Sequence, residues 1–405
     1  MTTALRDLAL FGGEPLTTAP LHVGAPNIGD RERLHALIDD ALDRRWLTND
    51  GPYVKAFERR LAEVVGVEHC VATVNATTSL MLLAWCLGLR GEVVMPALTF
   101  VATPHAMHWQ GLTPVFADVD PGTLTLSPTS ASAACSEETA AIVGVHLWGQ
   151  PCDVDSLTEL ARNRGVPLLF DAAHALGSRL GGRNVGSFGD AEVFSFHATK
   201  LCSSFEGGAV TTNDGDLAAR LARARNFGFA DEDLVPDLGI NGKMHELSAA
   251  MGLVSLDALD DFGAAHRMNQ EHYRLGLGRD AGVTVRAADL ATTPTQPYVV
   301  AEVHDDAGLT RDELLTVLRT ENVLARRYFF PGCHRMAPYD GMAASRRIPL
   351  PVTEEVLERV IVLPTGTATP TAAIDRICQV IRCATTNAAE VRARLAHVGG
   401  IPPLP

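Results

Sequence analysis

Short continuous apolar runs recur through the first half of the chain, at Cys70–Asn75, Gly91–Pro96, Pro114–Asp120, Ala140–Gly149, Val166–Asp171, Ala191–Phe196 and Gly208–Asn213. Runs that are apolar at every position, not at alternate ones, belong to strands buried on both faces, as in parallel sheets. Between them the spacing turns helical. Asp30 caps a helix predicted to reach about Arg45, with Leu34, Leu37, Ile38, Ala41 and Leu42 on one face. Further helices are predicted over Tyr53–Val65, Ala76–Leu89, Asp153–Arg164 and Asp216–Arg225. Alternation of strand and helix predicts an α/β fold with a mostly parallel sheet. The first part of the chain, to about Pro26, is rich in turn formers and reads as a loop-rich arm. A long helix from Ser248 to about Leu277 leads to short strands between Gly282 and Val303, a helix over Thr310–Glu321 and a last helix over Thr371–Leu395. The expected division is an arm and large domain over 1–260 and a smaller α+β domain over 261–405.

Lys200 lies between two of the apolar strands, with Ser195 and His197 upstream and Gly207-Gly208 downstream. A lysine carried into an apolar core loses hydration, which favours the neutral amine and makes it a nucleophile suited to Schiff-base chemistry. The Val166–Asp171 run ends in an acid, followed by Ala172-Ala173-His174. Ligands of doubly wound sheets gather at such strand ends. A lysine to bind an aldehyde, a carboxylate to keep a pyridine nitrogen protonated and a hydroxyl for a phosphate oxygen are together what pyridoxal phosphate needs. The Asn75-Ala76-Thr77 turn, where a strand passes into a helix N-terminus, offers free amides to a phosphate. Asp118, Asp120 and His146 have no partners at catalytic spacing and read as structural.

Ser195-Phe-His-Ala-Thr-Lys200 and Asp171-Ala-Ala-His174 resemble the signatures of the DegT/DnrJ/EryC1/StrS sugar aminotransferases, within fold type I of the pyridoxal-phosphate enzymes. The resemblance runs through nearly the whole chain. It implies a mostly parallel seven-stranded sheet in the large domain, and a cofactor site of Lys200, Asp171, His174, Ser195, Ala76, Thr77 and Phe100. Phe100 would stack on the cofactor ring. Asn241 would reach the cofactor phosphate of a second subunit, so the resemblance implies a homodimer with shared sites. Thr48, Asn49, His197, Lys243, Arg326, Tyr328 and His334 are the implied substrate contacts. Two positions depart from the family pattern: Ala76 stands where glycine is usual, and Lys243 replaces an arginine and loses its planar fork.

The implied reaction moves an amino group from L-glutamate to a nucleotide-linked keto-sugar, with C4 of a dTDP-4-keto-6-deoxyhexose favoured. A C3 keto-sugar or a keto-inositol is the alternative acceptor. A sugar 3-dehydratase of this fold would have histidine in place of Lys200, and a non-catalytic ligand sensor would form no Schiff base. The net charge of −14 leaves no basic run to follow a nucleic acid, and the eight cysteines show no CxxC spacing. Without a basic segment leading into an apolar one at the amino terminus, the expectation is a cytoplasmic protein.

Overall fold

The computed structural model describes residues 4–278, 281–287, 292–293, 295–397 and 400–403. The seven apolar runs form one sheet: β1 (His69–Thr73), β2 (Glu92–Pro96), β3 (Thr113–Ala117), β4 (Thr139–Val145), β5 (Leu168–Asp171), β6 (Ala191–Ser195) and β7 (Gly208–Thr212). Their order across the sheet is β1-β7-β6-β5-β4-β2-β3. Only β7 runs against its neighbours, pairing antiparallel with β1 and β6.

The continuous apolar character of the runs has the expected cause. Val94, Ile142, Phe170 and Phe194 face one hydrophobic cluster, while Val93, Val143, Leu169 and Val193 face another on the opposite side. Alternate residues of each strand therefore enter different cores, and most positions are apolar; the few buried polar ones, such as Glu192 and Asp171, are hydrogen-bonded. Helices α1 (Arg31–Arg44), α2 (Pro52–Val65), α3 (Ala76–Cys86), α4 (Ala102–Trp109), α5 (Pro128–Ala134), α6 (Val154–Arg164) and α7 (Gly215–Ala224) join or flank these strands. The expectations for α1, α2, α3, α6 and α7 agree with them to within a few residues, whereas the short helices α4 and α5 are not predicted.

Two predicted helices are each divided in the structure. The run to Leu277 is α8 (Glu246–Asp257) and α9 (Leu259–Leu277), with Ala258 out of helical conformation between them. Asp260 and Asp261 then lie in the first turn of α9, where carboxylates suit the positive end of the helix dipole. The carboxy-terminal run divides at Asn387 into Thr371–Thr386 and Ala388–Leu395. There the Asn387 side chain bonds the Cys383 carbonyl at 2.7 Å, a local alternative to helix continuation.

A smaller antiparallel sheet is built from β8 (Val283–Val285), β9 (Val299–Val303) and β10 (Val360–Leu363), in the order β8-β9-β10. Its core takes in α9, α10 (Arg311–Thr320) and the Thr371–Thr386 helix, together with Leu8, Leu10 and Leu16 of the arm. The arm is more ordered than its turn formers suggest. Leu21–His22 pairs in parallel with Val323–Leu324, and the Glu321 carboxylate accepts the amides of Ala9 (2.6 Å) and Leu16 (2.9 Å). A further cluster joins the two sheets: Leu98, Val145 and Trp148 from the large-sheet side pack with Tyr298, Val300, Phe329 and Val362. Among the described residues no helix is long and apolar enough to cross a membrane.

Candidate active site

Lys200 lies in the loop between β6 and β7. The loop folds back on itself, with the Lys200 amide bonded to the His197 carbonyl (2.9 Å) and the Ser204 amide to that of Phe196 (2.8 Å). It is also tied to α8, where Ser255 Oγ donates to the Ser203 carbonyl at 2.8 Å, and to the arm, where Asn27 donates to the Leu201 carbonyl at 3.1 Å. So anchored, the half-buried Lys200 sends its amine inward to Tyr298, with Nζ 3.3 Å from the phenol oxygen. Burial lowers the Lys200 pKa to about 8, against the opposing influence of the negative charge of Asp171.

Asp171 closes β5 and is 7% exposed. Its Oδ2 accepts from Thr103 Oγ1 at 2.8 Å, and its Oδ1 accepts from the Ala173 amide at 3.1 Å. Thr103 in turn pairs with Thr99 at 3.0 Å. Among the described residues Asp171 forms no ion pair. A buried carboxylate with neutral donors alone is costly, and a protonated pyridine nitrogen is the cation that such a carboxylate fits. His174 is buried beside it. Its Nδ1 accepts the Trp148 amide at 3.3 Å, so that nitrogen carries no proton, and burial together with the Lys200 charge holds its pKa well below the usual histidine range. The neutral ring stacks on Phe329 (5.9 Å, 9°) and meets Tyr298 edge-on at 4.9 Å.

At the other end of the same region α3 begins. Asn75 caps it by accepting the Thr78 amide at 2.8 Å, which leaves the half-buried amides of Ala76 and Thr77 without acceptors in the helix. Gly208 presses against this turn. A β-carbon there would lie 2.5 Å from the Ala76 nitrogen and 2.6 Å from the Asn75 oxygen, so only glycine allows the approach. Ser195 ends β6 with its hydroxyl 3.4 Å from the His197 amide. A buried amine, a carboxylate lacking a cation and open helix amides form a donor set that fits pyridoxal phosphate.

The remaining predicted residues fall into three groups. Phe100, 54% exposed, packs against Phe329 at 5.9 Å. Tyr328 also stacks on Phe329 (4.9 Å, 11°), and the Arg326 guanidinium lies 5.1 Å above the Tyr328 ring. Arg326, Tyr328 and Tyr298 line a cavity of about 220 Å³ with His22, Gly24 and Thr199. A second group lies at the surface. Thr48 and Asn49 are exposed beside the Asp50–Arg225 ion pair, and Asn241 is exposed. Lys243 donates to Asn226 at 2.8 Å and covers the Phe227 ring at 4.6 Å. His197 is exposed, paired with Thr199 (2.9 Å) and 3.5 Å from Glu206. Among the described contacts of this second group, only the Lys200 amide bond to the His197 carbonyl touches Lys200, Asp171 or His174. His334 stands apart, 8% exposed against Glu354 of the helix Pro351–Arg359 at 3.6 Å.

Tyr298 and Thr103, which complete the polar contacts around Lys200 and Asp171, went unrecognised in the sequence. Thr99 and Thr103 do share a helical i, i+4 spacing, whereas Tyr298 looks like any aromatic beside a strand. The three residues read as structural have partners within the fold. His146 stacks on Phe170 at 4.6 Å with Nε2 3.1 Å from Glu192. Asp118 accepts the Val352 and Thr353 amides at 2.9 and 2.8 Å, and Asp120 closes a turn through the Gly122 and Thr123 amides at 2.9 Å each.

Residues 29–382 match the model of the DegT/DnrJ/EryC1/StrS aminotransferase family. The chain is 36% identical over 313 residues to a dTDP-4-amino-4,6-dideoxy-D-glucose transaminase from Shigella dysenteriae, covering 77% of this chain and 85% of that one. To a GDP-perosamine synthase from Caulobacter vibrioides it is 34% identical over 363 residues, covering 88% and 96%. A crystal structure of DesI in the presence of its TDP-sugar product superposes with a TM-score of 0.93 at 50% identity, covering 97% of this chain and all of that one (100%). The chain, with its lysine, carboxylate and helix terminus so arranged, belongs to the DegT/DnrJ/EryC1/StrS aminotransferase family and is a pyridoxal-phosphate-dependent enzyme.

Proposed function

We propose that this protein transfers the amino group of L-glutamate to C4 of a dTDP-4-keto-6-deoxyhexose, acting as a cytoplasmic homodimer in amino-deoxysugar biosynthesis. The observation that carries the reading is the 50% identity over 97% of the chain to DesI, solved with a TDP-sugar product. Lysine at position 200, where a dehydratase of this fold would have histidine, favours amino transfer.

When bound, the cofactor supplies an aldehyde and an electron-withdrawing ring. Lys200 Nζ tethers it and, once freed, moves the proton at the substrate carbon. A drop in pKa from 10.5 to about 8 raises the neutral fraction of this amine near pH 7 by about 300-fold, the antilogarithm of the shift. Asp171 would keep the ring nitrogen protonated, its carboxylate held in place by Thr103 and the Ala173 amide. The Ala76 and Thr77 amides with the Ser195 hydroxyl hold the phosphate. His174 would offer the bound ring a flat neutral face, and Phe100 would help to keep water from it.

Arg326, Tyr328, His197, Lys243 and His334, with Thr48 and Asn49, are proposed as substrate contacts. Arg326 and Tyr328 have the most direct support, because their cavity shares Tyr298 with the reacting amine. The dimer is supported by the apolar surface around Thr48, Asn49 and Asn241. Trp46, Leu47, Phe227, Phe229, Leu238 and Ile240 are each at least 40% exposed, more large apolar side chain than an uncovered surface usually carries in one region. A second copy covering it would bring Asn241 to the neighbouring phosphate.

The test is to supply L-glutamate with a panel of dTDP- and GDP-linked 4-keto-sugars, a 3-keto-sugar and a keto-inositol. Amination of the dTDP-4-keto-6-deoxyhexose with matching release of 2-oxoglutarate is expected. Higher kcat/KM on the 3-keto-sugar or the inositol would overturn the proposed acceptor.

A further inference from the structure

Tyr298 immediately precedes β9 of the smaller sheet, yet its hydroxyl lies beside an amine next to the larger one. The bond between Tyr298 Oη and Lys200 Nζ (3.3 Å) is the only hydrogen bond of that amine among the described residues. The phenol is 8% exposed, and its ring is set from two sides: the His174 ring meets it edge-on at 4.9 Å, and the Tyr328 ring at 6.2 Å. The segment that carries it is also confined. A β-carbon on Gly149 would lie 2.8 Å from Pro297 Cδ, so the backbone just before Tyr298 is packed against the Trp148–Gly149 turn. Buried aromatic side chains held by packing on several faces have one rotamer, and a hydroxyl on such a ring is a fixed point.

We propose that Tyr298 is a positioning residue for the reacting lysine, holding Lys200 Nζ toward the substrate carbon in the stages of the reaction when the amine is free. This rests on the reading of Lys200 as tether and proton carrier. A four-carbon side chain released from its tether has many rotamers, and most of them would carry the amine away from the carbon it must serve. A neutral phenol suits both protonation states of its partner. It accepts from the ammonium and donates to the lone pair of the amine, so the O···N pair persists while the proton moves. Burial pushes the Tyr298 pKa upward, which keeps the phenol protonated throughout. The groups that face this pair are His174, Tyr328 with Arg326 stacked on it, and Asp171, whose charge acts on Lys200.

Removing the hydroxyl takes a hydrogen bond from both forms of the amine, and the bond to the charged form is the stronger. In Tyr298→Phe the Lys200 pKa should therefore fall, by about half to one pH unit. The full-length holoenzyme is converted with L-glutamate to its amino form, which frees Lys200. Labelling of Lys200 by limiting acetic anhydride is then followed across pH by peptide mass spectrometry. A lower labelling midpoint is expected in Tyr298→Phe. So is a larger kinetic isotope effect with α-deuterated glutamate, because a less well-placed amine makes proton transfer more limiting, while KM for glutamate stays within about twofold of wild type. An unchanged midpoint and isotope effect in the folded variant overturns the proposal. Should Tyr298→Phe not fold, 3-fluorotyrosine at the same position keeps the shape while making the phenol a better donor and a poorer acceptor. The Lys200 midpoint must again fall, and one that stays put overturns the proposal. Lys200→Ala separates the two readings: if it still transaminates, the role given to Lys200 is wrong, whereas an inactive Lys200→Ala beside an unaltered Tyr298→Phe removes only the role given to Tyr298.

Discussion

Replacing Gly208 by alanine tests how closely the sheet must approach the phosphate end of the site. The added methyl would lie 2.5 Å from the Ala76 nitrogen and 2.6 Å from the Asn75 oxygen, where about 3.4 Å is the limit of ordinary contact. Nearly an ångström must be found. β7 cannot easily supply it, because it is hydrogen-bonded on both sides, with Gly208 paired to Thr73 of β1 and to Ser195 of β6. The α3 N-terminus must move instead. Overpacking of this kind costs about 1–3 kcal/mol, which in a chain of this size is a fall of only a few degrees in Tm. The larger effect falls on the ligand, since the displaced backbone carries the Ala76 and Thr77 amides. Each charge-assisted bond lost removes about 1.5–3 kcal/mol, so affinity should drop by roughly tenfold or more. Titration with pyridoxamine phosphate isolates this term, because that ligand forms no Schiff base with Lys200. Wild-type affinity in Gly208→Ala would refute the placement of the phosphate at α3.

Three other outcomes are expected. Lys200→Met should stabilise the cofactor-free protein. Because the folded-state pKa of the lysine is lowered, its cost to wild type is full below about pH 8 and vanishes as pH rises toward 10.5; at its largest it is about 3 kcal/mol. Urea midpoints of the two proteins across pH check this, and a pH-independent difference counts against it. Asp171→Asn keeps the size of the side chain but loses its charge, so the glutamate half-reaction should slow by roughly 10²-fold or more in stopped-flow absorbance; a rate within tenfold of wild type contradicts the pyridinium contact. Lys200→Ala and Asn241→Ala subunits, each inactive alone, should recover one intact site per mixed dimer, and verified heterodimers without activity would rule out a site completed in trans.

Most of the larger sheet and the chemical centre of the site could be read along the chain, because their signals are local. A strand buried on both faces must be apolar throughout, a helix start shows in its cap, and a lysine or aspartate at the end of an apolar run is visible wherever the run is packed. Lys200, Asp171 and the Asn75–Thr77 turn are of this kind. Tyr298 is not: it lies 98 residues from Lys200, and nothing near it in the chain distinguishes it from a core aromatic. Only the docking of the smaller sheet brings its hydroxyl to the amine. His334 is another case, since nothing in its loop of aromatics and cations announces its approach to Glu354. The arm is similar, its turn-forming sequence ordered by the distant Glu321. Residue type and spacing therefore carried the chemistry, whereas the partners of each group were decided by side-chain direction and the packing of distant segments, which no local pattern encodes.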